Sequence, residues 1–89
     1  MTVDKSKISN MMIQFLKANV LGEGVEISGT TPFVEIGIDS VTVIELVMHI
    51  DDEFGIDIPP NDLTEDNMSS VDTLANCAMR FAPAGGDNS

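Results

Sequence analysis

Tryptophan and tyrosine are absent from this 89-residue chain, and cysteine and histidine occur once each, as Cys77 and His49. Without the two bulkiest ring systems the core has to be aliphatic, helped by Phe15, Phe33, Phe54, Phe81 and several methionines. One cysteine excludes an internal disulfide and any multi-thiolate zinc site, and Cys77 reads as a small buried hydrophobe on the last helix. No apolar run approaches the roughly 20 residues that span a membrane, and Met1 to Asn10 lacks the basic-then-apolar plan of a secretory signal, so a cytoplasmic, reducing setting is expected. Cations are scarce too. Four Lys/Arg against fifteen Asp/Glu leave a formal net charge of −11, which repels phosphate backbones and anionic lipid. Neither nucleic acid nor a membrane is an expected partner; basic protein surfaces are.

What is present is enough for one small domain, expected to be monomeric. Hydrophobic residues make up 43% of the chain, near the globular norm, so it should fold despite its charge. Ile8, Met11, Met12, Phe15, Leu16 and Val20 recur at helical spacing, with Asp4 or Ser6 to cap the start and Gly22 and Gly24 to end the segment. Turn formers and isolated apolar residues from Gly22 to Ser40 read as a long loop pinned to the core, and a loop of that length in so small a domain is usually functional. A second helix starts at Asp39 or Ser40 and stops before Gly55. Ile56 to Pro60 reads as an extended linker, Asn61 to Met68 as one helical turn at most, and Ser69 or Ser70 caps a last helix from Val71 to Ala82. The expected fold is all-α: three main helices and a short fourth, with residues 1–82 as one domain and 83–89 as a frayed tail.

The second helix is richer in apolar residues than one buried face requires. Val43, Leu46, Val47, Ile50 and Phe54 fall in a sector about 100° wide, the core face. Val41, Ile44 and Met48 cluster on the opposite side, flanked by Glu45, Asp51 and Asp52. One reading has the long loop covering this second stripe, with most force at Val41. For Ile44 and Met48, covering would bury carboxylates that the four cations are too few to neutralise. An exposed recognition stripe is therefore preferred, its carboxylates steering basic partners.

Asp39 is a favoured N-cap type, and a hydroxyl at position 40 sits where free backbone N–H groups and the helix dipole favour a phosphate. A nucleophilic serine needs a base within hydrogen-bond reach, and His49 lies nine residues along the same helix, about 13 Å away. The run DDEFGIDIPPND lacks the ligand spacing of an EF-hand loop. No catalysis of its own and no metal site are expected.

The run FVEIGIDS, Phe33 to Ser40, is similar to the F-x-x-x-G-x-D-S motif of the acyl carrier protein family, and IELVM, Ile44 to Met48, resembles the recognition helix that follows it. FGIDIP, Phe54 to Pro59, is similar to the next segment of that family. The resemblance implies that Ser40 receives 4′-phosphopantetheine from coenzyme A through a separate phosphopantetheinyl transferase, with Asp39 assisting, and that an acyl or aminoacyl cargo is then held as a thioester. It also implies a docking surface of Val41, Ile44, Glu45, Met48, Asp51 and Asp52. The partners would be an acyl-loading enzyme, either an acyltransferase or an adenylating ligase, and a ketosynthase or other cargo-processing enzyme. Val41 stands where leucine is usual, and Thr42 where fatty-acid carriers commonly have an acid, which counts against housekeeping fatty-acid synthesis; with Met1 at its start and a polar tail the chain reads as a discrete carrier of polyketide or nonribosomal type, a fatty-acid carrier or a peptidyl carrier being the alternatives.

A rival of another class is an acidic helical adaptor, never modified, that binds a basic partner through the same stripe. In either case, crowded carboxylates predict a thermal midpoint that rises as NaCl is raised to about 0.5 M, because the Debye length shrinks to a few Å. A midpoint that is flat or falls over that range would show that charge repulsion does not limit stability.

Overall fold

The computed structural model describes residues 4–22 and 24–82; the tail expected at 83–89 lies outside them. Three α-helices, α1 (Lys5–Leu16), α2 (Ser40–Phe54) and α3 (Val71–Arg80), pack around one aliphatic core, and no strand forms among the described residues. Each starts at a side-chain cap. The Asp4 carboxylate accepts from the Lys7 amide at 2.9 Å, and Asp39 does the same from Thr42 at 2.9 Å. At α3, Ser70 Oγ accepts from the Thr73 amide at 3.2 Å while Thr73 Oγ1 accepts from the Ser70 amide at 3.0 Å, a reciprocal box with threonine in the place usually held by glutamate or glutamine.

Helix α1 buries Ile8, Met12 and Leu16, one residue per turn. It then widens into a π-helical turn, Lys17–Leu21, closed by the Gly22 amide donating to the Lys17 carbonyl at 3.0 Å. Gly22 has φ 92, which an L side chain adopts only with strain. Asn19 Nδ2 donates back to the Phe15 carbonyl at 3.1 Å, a side-chain donor where the main-chain pattern shifts from four residues to five. The extra residue in the turn moves the inward position from Val20, which is exposed, to Leu21, which packs on the core.

The long loop is tied down at two levels. Phe33 and Ile38 are buried, and two main-chain bonds hold it to the start of α3: the Phe33 amide to the Ser69 carbonyl at 2.8 Å, and the Asp72 amide to the Gly29 carbonyl at 2.7 Å. Within it, Phe33–Ile36 forms a 3-10 turn that ends at Gly37 in the left-handed region, φ 75, and reverses the chain into Asp39. After α2, the left-handed Gly55 leads into an extended stretch in which Ile56 and Ile58 are buried and Asp57 is exposed. The short fourth element is a 3-10 turn, Pro60–Asp62.

Helix α3 buries Val71, Leu74, Ala75, Cys77 and Ala78, with Phe81 half-buried beyond its end. The Cys77 thiol meets the Asp62 carbonyl at 3.7 Å. Lys5 pairs with Asp72 at 2.6 Å between α1 and α3, but both side chains are about two-fifths exposed, so this contact contributes little beside the core.

Only Val43, Leu46 and Ile50 of α2's fifteen residues are buried, with Val47 and Phe54 half-buried beside them. Leu46→Ala should cost about 2–5 kcal/mol in urea unfolding, while Ile44→Ala should cost about 1 kcal/mol or less. Equal losses at the two positions would contradict the division of the helix into an inner and an outer face.

Candidate functional site

The loop delivers Asp39 and Ser40 to the exposed end of α2. Asp39 is the N-cap in extended backbone, φ −96 and ψ 176, and Ser40 is the first helical residue, its side chain exposed. The Asp39 carbonyl takes up the Val43 amide at 3.1 Å, so both ends of the cap residue are engaged with the first turn. The hydrogen bond from the Thr42 amide, with help from the Thr42 hydroxyl, holds the Asp39 carboxyl below the usual carboxylate range. Ser40 therefore stands beside a fixed anion, at a helix start whose first amides lack intrahelical partners.

Next to Ser40 lies a cleft of about 500 Å³. Its apolar lining comes from three segments: Phe33, Val34 and Ile38 of the loop, Val43 of α2, and Leu63 and Met68 of the stretch before α3. Asp39, Ser40, Glu65 and Ser69 supply its polar atoms. A flexible chain fixed at Ser40 has an apolar surface to fold onto, with carboxylates beside it. That suits a group with an apolar body and a polar or cationic end.

Along α2, Val41 is 66% exposed, Ile44 40% and Met48 60%, and Glu45, Asp51 and Asp52 are exposed among them. The loop does not cover the stripe, even at Val41. Val34, on the 3-10 turn, is 85% exposed at the edge of the cleft; sequence reasoning missed it because it falls outside any periodic segment. The signal available was an unpaired apolar residue between inward Phe33 and half-buried Ile36. His49 turns toward α1, its ring 4.4 Å from that of Phe15, and serves no role at Ser40. Among the described residues no three His, Cys, Asp or Glu side chains gather in a way that would hold a metal, and no helix is long and apolar enough to cross a membrane.

A small helical bundle that offers one exposed hydroxyl at the head of an acidic, partly apolar helix has the build of a carrier domain. The family described as "Phosphopantetheine attachment site" matches residues 10–78, and the chain belongs to it, as a carrier protein of the acyl carrier group. Among its relatives, the acyl carrier protein of Rickettsia bellii is 34% identical over 64 residues, covering 67% of this chain and 74% of that protein. Aminoacyl carrier protein 1 of Bradyrhizobium diazoefficiens is 28% identical over 75 residues, 81% of this chain and 82% of that one. Acyl carrier protein 2, chloroplastic, of Spinacia oleracea is 34% identical over 58 residues; the match spans 65% of this chain and only 41% of the spinach protein. Among solved structures, the crystal structure of the Bradyrhizobium japonicum glycine:[carrier protein] ligase complexed with glycylated carrier protein is similar at TM-score 0.66 and 25% identity, over 82% of this chain and 96% of that one.

Membership decides between the two classes weighed above. The protein is a carrier, not an unmodified adaptor: it carries covalently attached 4′-phosphopantetheine and is acted on by separate enzymes rather than catalysing a reaction itself. The exposed serine at the head of α2 and the adjoining cleft fit such a group.

Asp39→Ala should lower the thermal midpoint at pH 7. Because the folded carboxyl titrates below its ordinary value, its contribution is complete above the unfolded value of about 3.9 and is lost as pH falls through the folded one. The gap between wild type and Asp39→Ala should stay wide down to about pH 4 and then narrow. A gap that does not change with pH would assign the loss to something other than the carboxylate's charge.

Proposed function

We propose that Ser40 is the attachment point of the phosphopantetheine and that the protein presents an acyl or aminoacyl group to partner enzymes in specialised biosynthesis of polyketide or nonribosomal type. The observation that carries the assignment is the Ser40 hydroxyl, exposed as the first residue of α2 beside the Asp39 cap and the apolar cleft. Ser40 lies within the region matched by the family. When bound, the group supplies a terminal thiol on a long arm, which holds cargo as a thioester.

The chain's own residues position that arm. The positive end of the α2 dipole favours its phosphate. The cleft formed by Phe33, Ile38, Val43, Leu63 and Met68 shields apolar parts from water. Asp39 is held ionised by the Thr42 amide, which suits it to assist the transferase at Ser40. Val41, Ile44, Met48, Glu45, Asp51 and Asp52 form the docking face.

An adenylating ligase is the loading enzyme this reading favours. The aminoacyl carrier of Bradyrhizobium is similar over four-fifths of both chains, and the ligase complexes contain a carrier of similar fold. Val41 and Thr42 depart from fatty-acid carriers, which leads the reading away from fatty-acid synthesis.

Intact-mass spectrometry after incubation with coenzyme A and a broad-specificity phosphopantetheinyl transferase should show one phosphopantetheine increment, absent in Ser40→Ala. An increment that survives in Ser40→Ala, or none on folded wild type, would overturn the assignment. The modified protein should then gain a glycyl increment with glycine, ATP and the Bradyrhizobium ligase; cargo accepted only from acyltransferases would move it to the polyketide side. Val41→Ser and Ile44→Ser should lower the transferase's kcat/KM by about ten-fold with little change in thermal midpoint, as for hydrophobic contacts at an interface.

A further inference from the structure

Positive charge is concentrated on one element. Three of the chain's four basic residues, Lys5, Lys7 and Lys17, lie between Lys5 and Gly22, and none of its fifteen Asp and Glu does. Lys5 is taken up by Asp72 of α3. Among the described residues the other ion pair joins Arg80 to Asp62, so Lys7 and Lys17 are not neutralised there. Lys7, Asn10, Gln14 and Lys17 recur at intervals of three and four along α1 and its C-cap, in a sector about 80° wide and over about 15 Å of helix. Ile8, Met12 and Leu16 are buried on the other side, so this stripe is turned away from the core. Lys7, Asn10 and Gln14 are exposed and Lys17 is half-buried.

A solvated helix in an acidic protein can answer its lysines with carboxylates one turn away. Here the inward neighbour three residues from each lysine is an amide, Asn10 for Lys7 and Gln14 for Lys17, and the neighbours four away are Met11 and Ile13. The one acid within a turn, Asp4, is engaged as the cap, its carboxylate accepting from the Lys7 amide at 2.9 Å. Helix α1 therefore presents two cations that its own residues leave unanswered, on a strip free of acids.

We propose that this strip seats an acidic helix of a partner protein, one that presents two carboxylates about three turns apart to Lys7 and Lys17, with Asn10 and Gln14 hydrogen-bonding between them. Shape and charge select that occupant together. A lipid surface or a nucleic-acid duplex is broad, and would press its phosphates against the acids of the neighbouring elements as well. A second copy of this chain brings a net charge of −11 and is repelled as a whole. A single helix, about 10 Å across, covers the acid-free strip and little else. Val20, exposed three residues beyond Lys17, adds an apolar contact that a protein side chain can meet and a phosphate cannot. Because the strip faces away from the core, a partner seated on it leaves Ser40 and the outer face of α2 open: one protein can hold the carrier while others act on its arm.

The probe is an alanine- and glutamine-based peptide of about 20 residues, long enough to hold a helix, with two glutamates about three turns apart. Titrated into the full chain at about 0.15 M NaCl and followed by NMR, it should shift the Lys7 and Lys17 side-chain signals and the α1 amides to saturation, with millimolar affinity. Lys7→Gln with Lys17→Gln should weaken binding about five-fold, as expected for two exposed ion pairs, while Lys7→Arg with Lys17→Arg should retain it, both with a near-native thermal midpoint. A peptide with glutamine in place of both glutamates should not bind.

Absence of shifts at Lys7 and Lys17 would overturn the seat. So would an affinity unchanged by the double glutamine substitution, or equal binding of the neutral peptide. Tighter binding of the same lysines to vesicles of anionic lipid, or a dimer without peptide that the glutamine pair abolishes, would overturn it in favour of a membrane or a second copy. None of these outcomes touches the assignment of Ser40, which is read separately from the phosphopantetheine increment.

Discussion

The Phe33 amide donates to the Ser69 carbonyl at 2.8 Å, and the placement of the functional end depends on that bond and its neighbour from Asp72 to Gly29. The loop from helix α1 to α2 is long, and left to itself would sample many paths. Fastened to the head of α3 by two main-chain bonds, and weighted into the core by Phe33 and Ile38, it has one route to Asp39. The same fastening brings Phe33 and Val34 opposite Leu63 and Met68, which makes the cleft beside Ser40. A serine at a helix start is common in proteins; a serine there with a built apolar wall next to it follows from how this loop is held.

Helix α2 is under the opposite constraint. Because only Val43, Leu46 and Ile50 are fully buried, most of its surface is free to be specified for other purposes. Exposed apolar side chains interleaved with carboxylates would be a liability on a protein of low charge, inviting self-association. At a net charge of −11, like copies repel and the apolar stripe is left for surfaces of the other sign. Acidity and exposed hydrophobicity are thus one design: the first keeps the second from meeting itself.

Much of this was legible in the residues because the deciding physics is local. Asp4, Asp39 and Ser70 cap the helices they precede, each by a bond to the residue three positions on, and Gly55 ends α2 in the left-handed turn its type suits. The two faces of α2 followed from periodicity, and Cys77 is buried as its type and place on α3 implied. The features that were not legible depend on elements meeting. No local pattern announces the π turn at Lys17–Leu21, which exchanges Val20 for Leu21 at the core. The cleft is assembled from three segments, and the contact of Phe15 with His49 requires α1 and α2 to be placed before either ring has a neighbour. Thr73 completes the cap of α3 with a shorter side chain than the usual box residue, so the spacing rule for glutamate passes over it.

The burial of Cys77 bears on chemistry that takes place elsewhere on the molecule. A carrier works through a thiol at the end of its arm, and a thiolate exposed nearby would compete by two routes: disulfide formation with the empty arm, and transfer of cargo from the arm to itself. At 1% exposure, with its S–H directed at the Asp62 carbonyl, the sulfur is withheld from both reactions. The protein thus keeps its one cysteine as packing material and leaves a single nucleophilic sulfur in contact with solvent, the one it is built to lend to other enzymes.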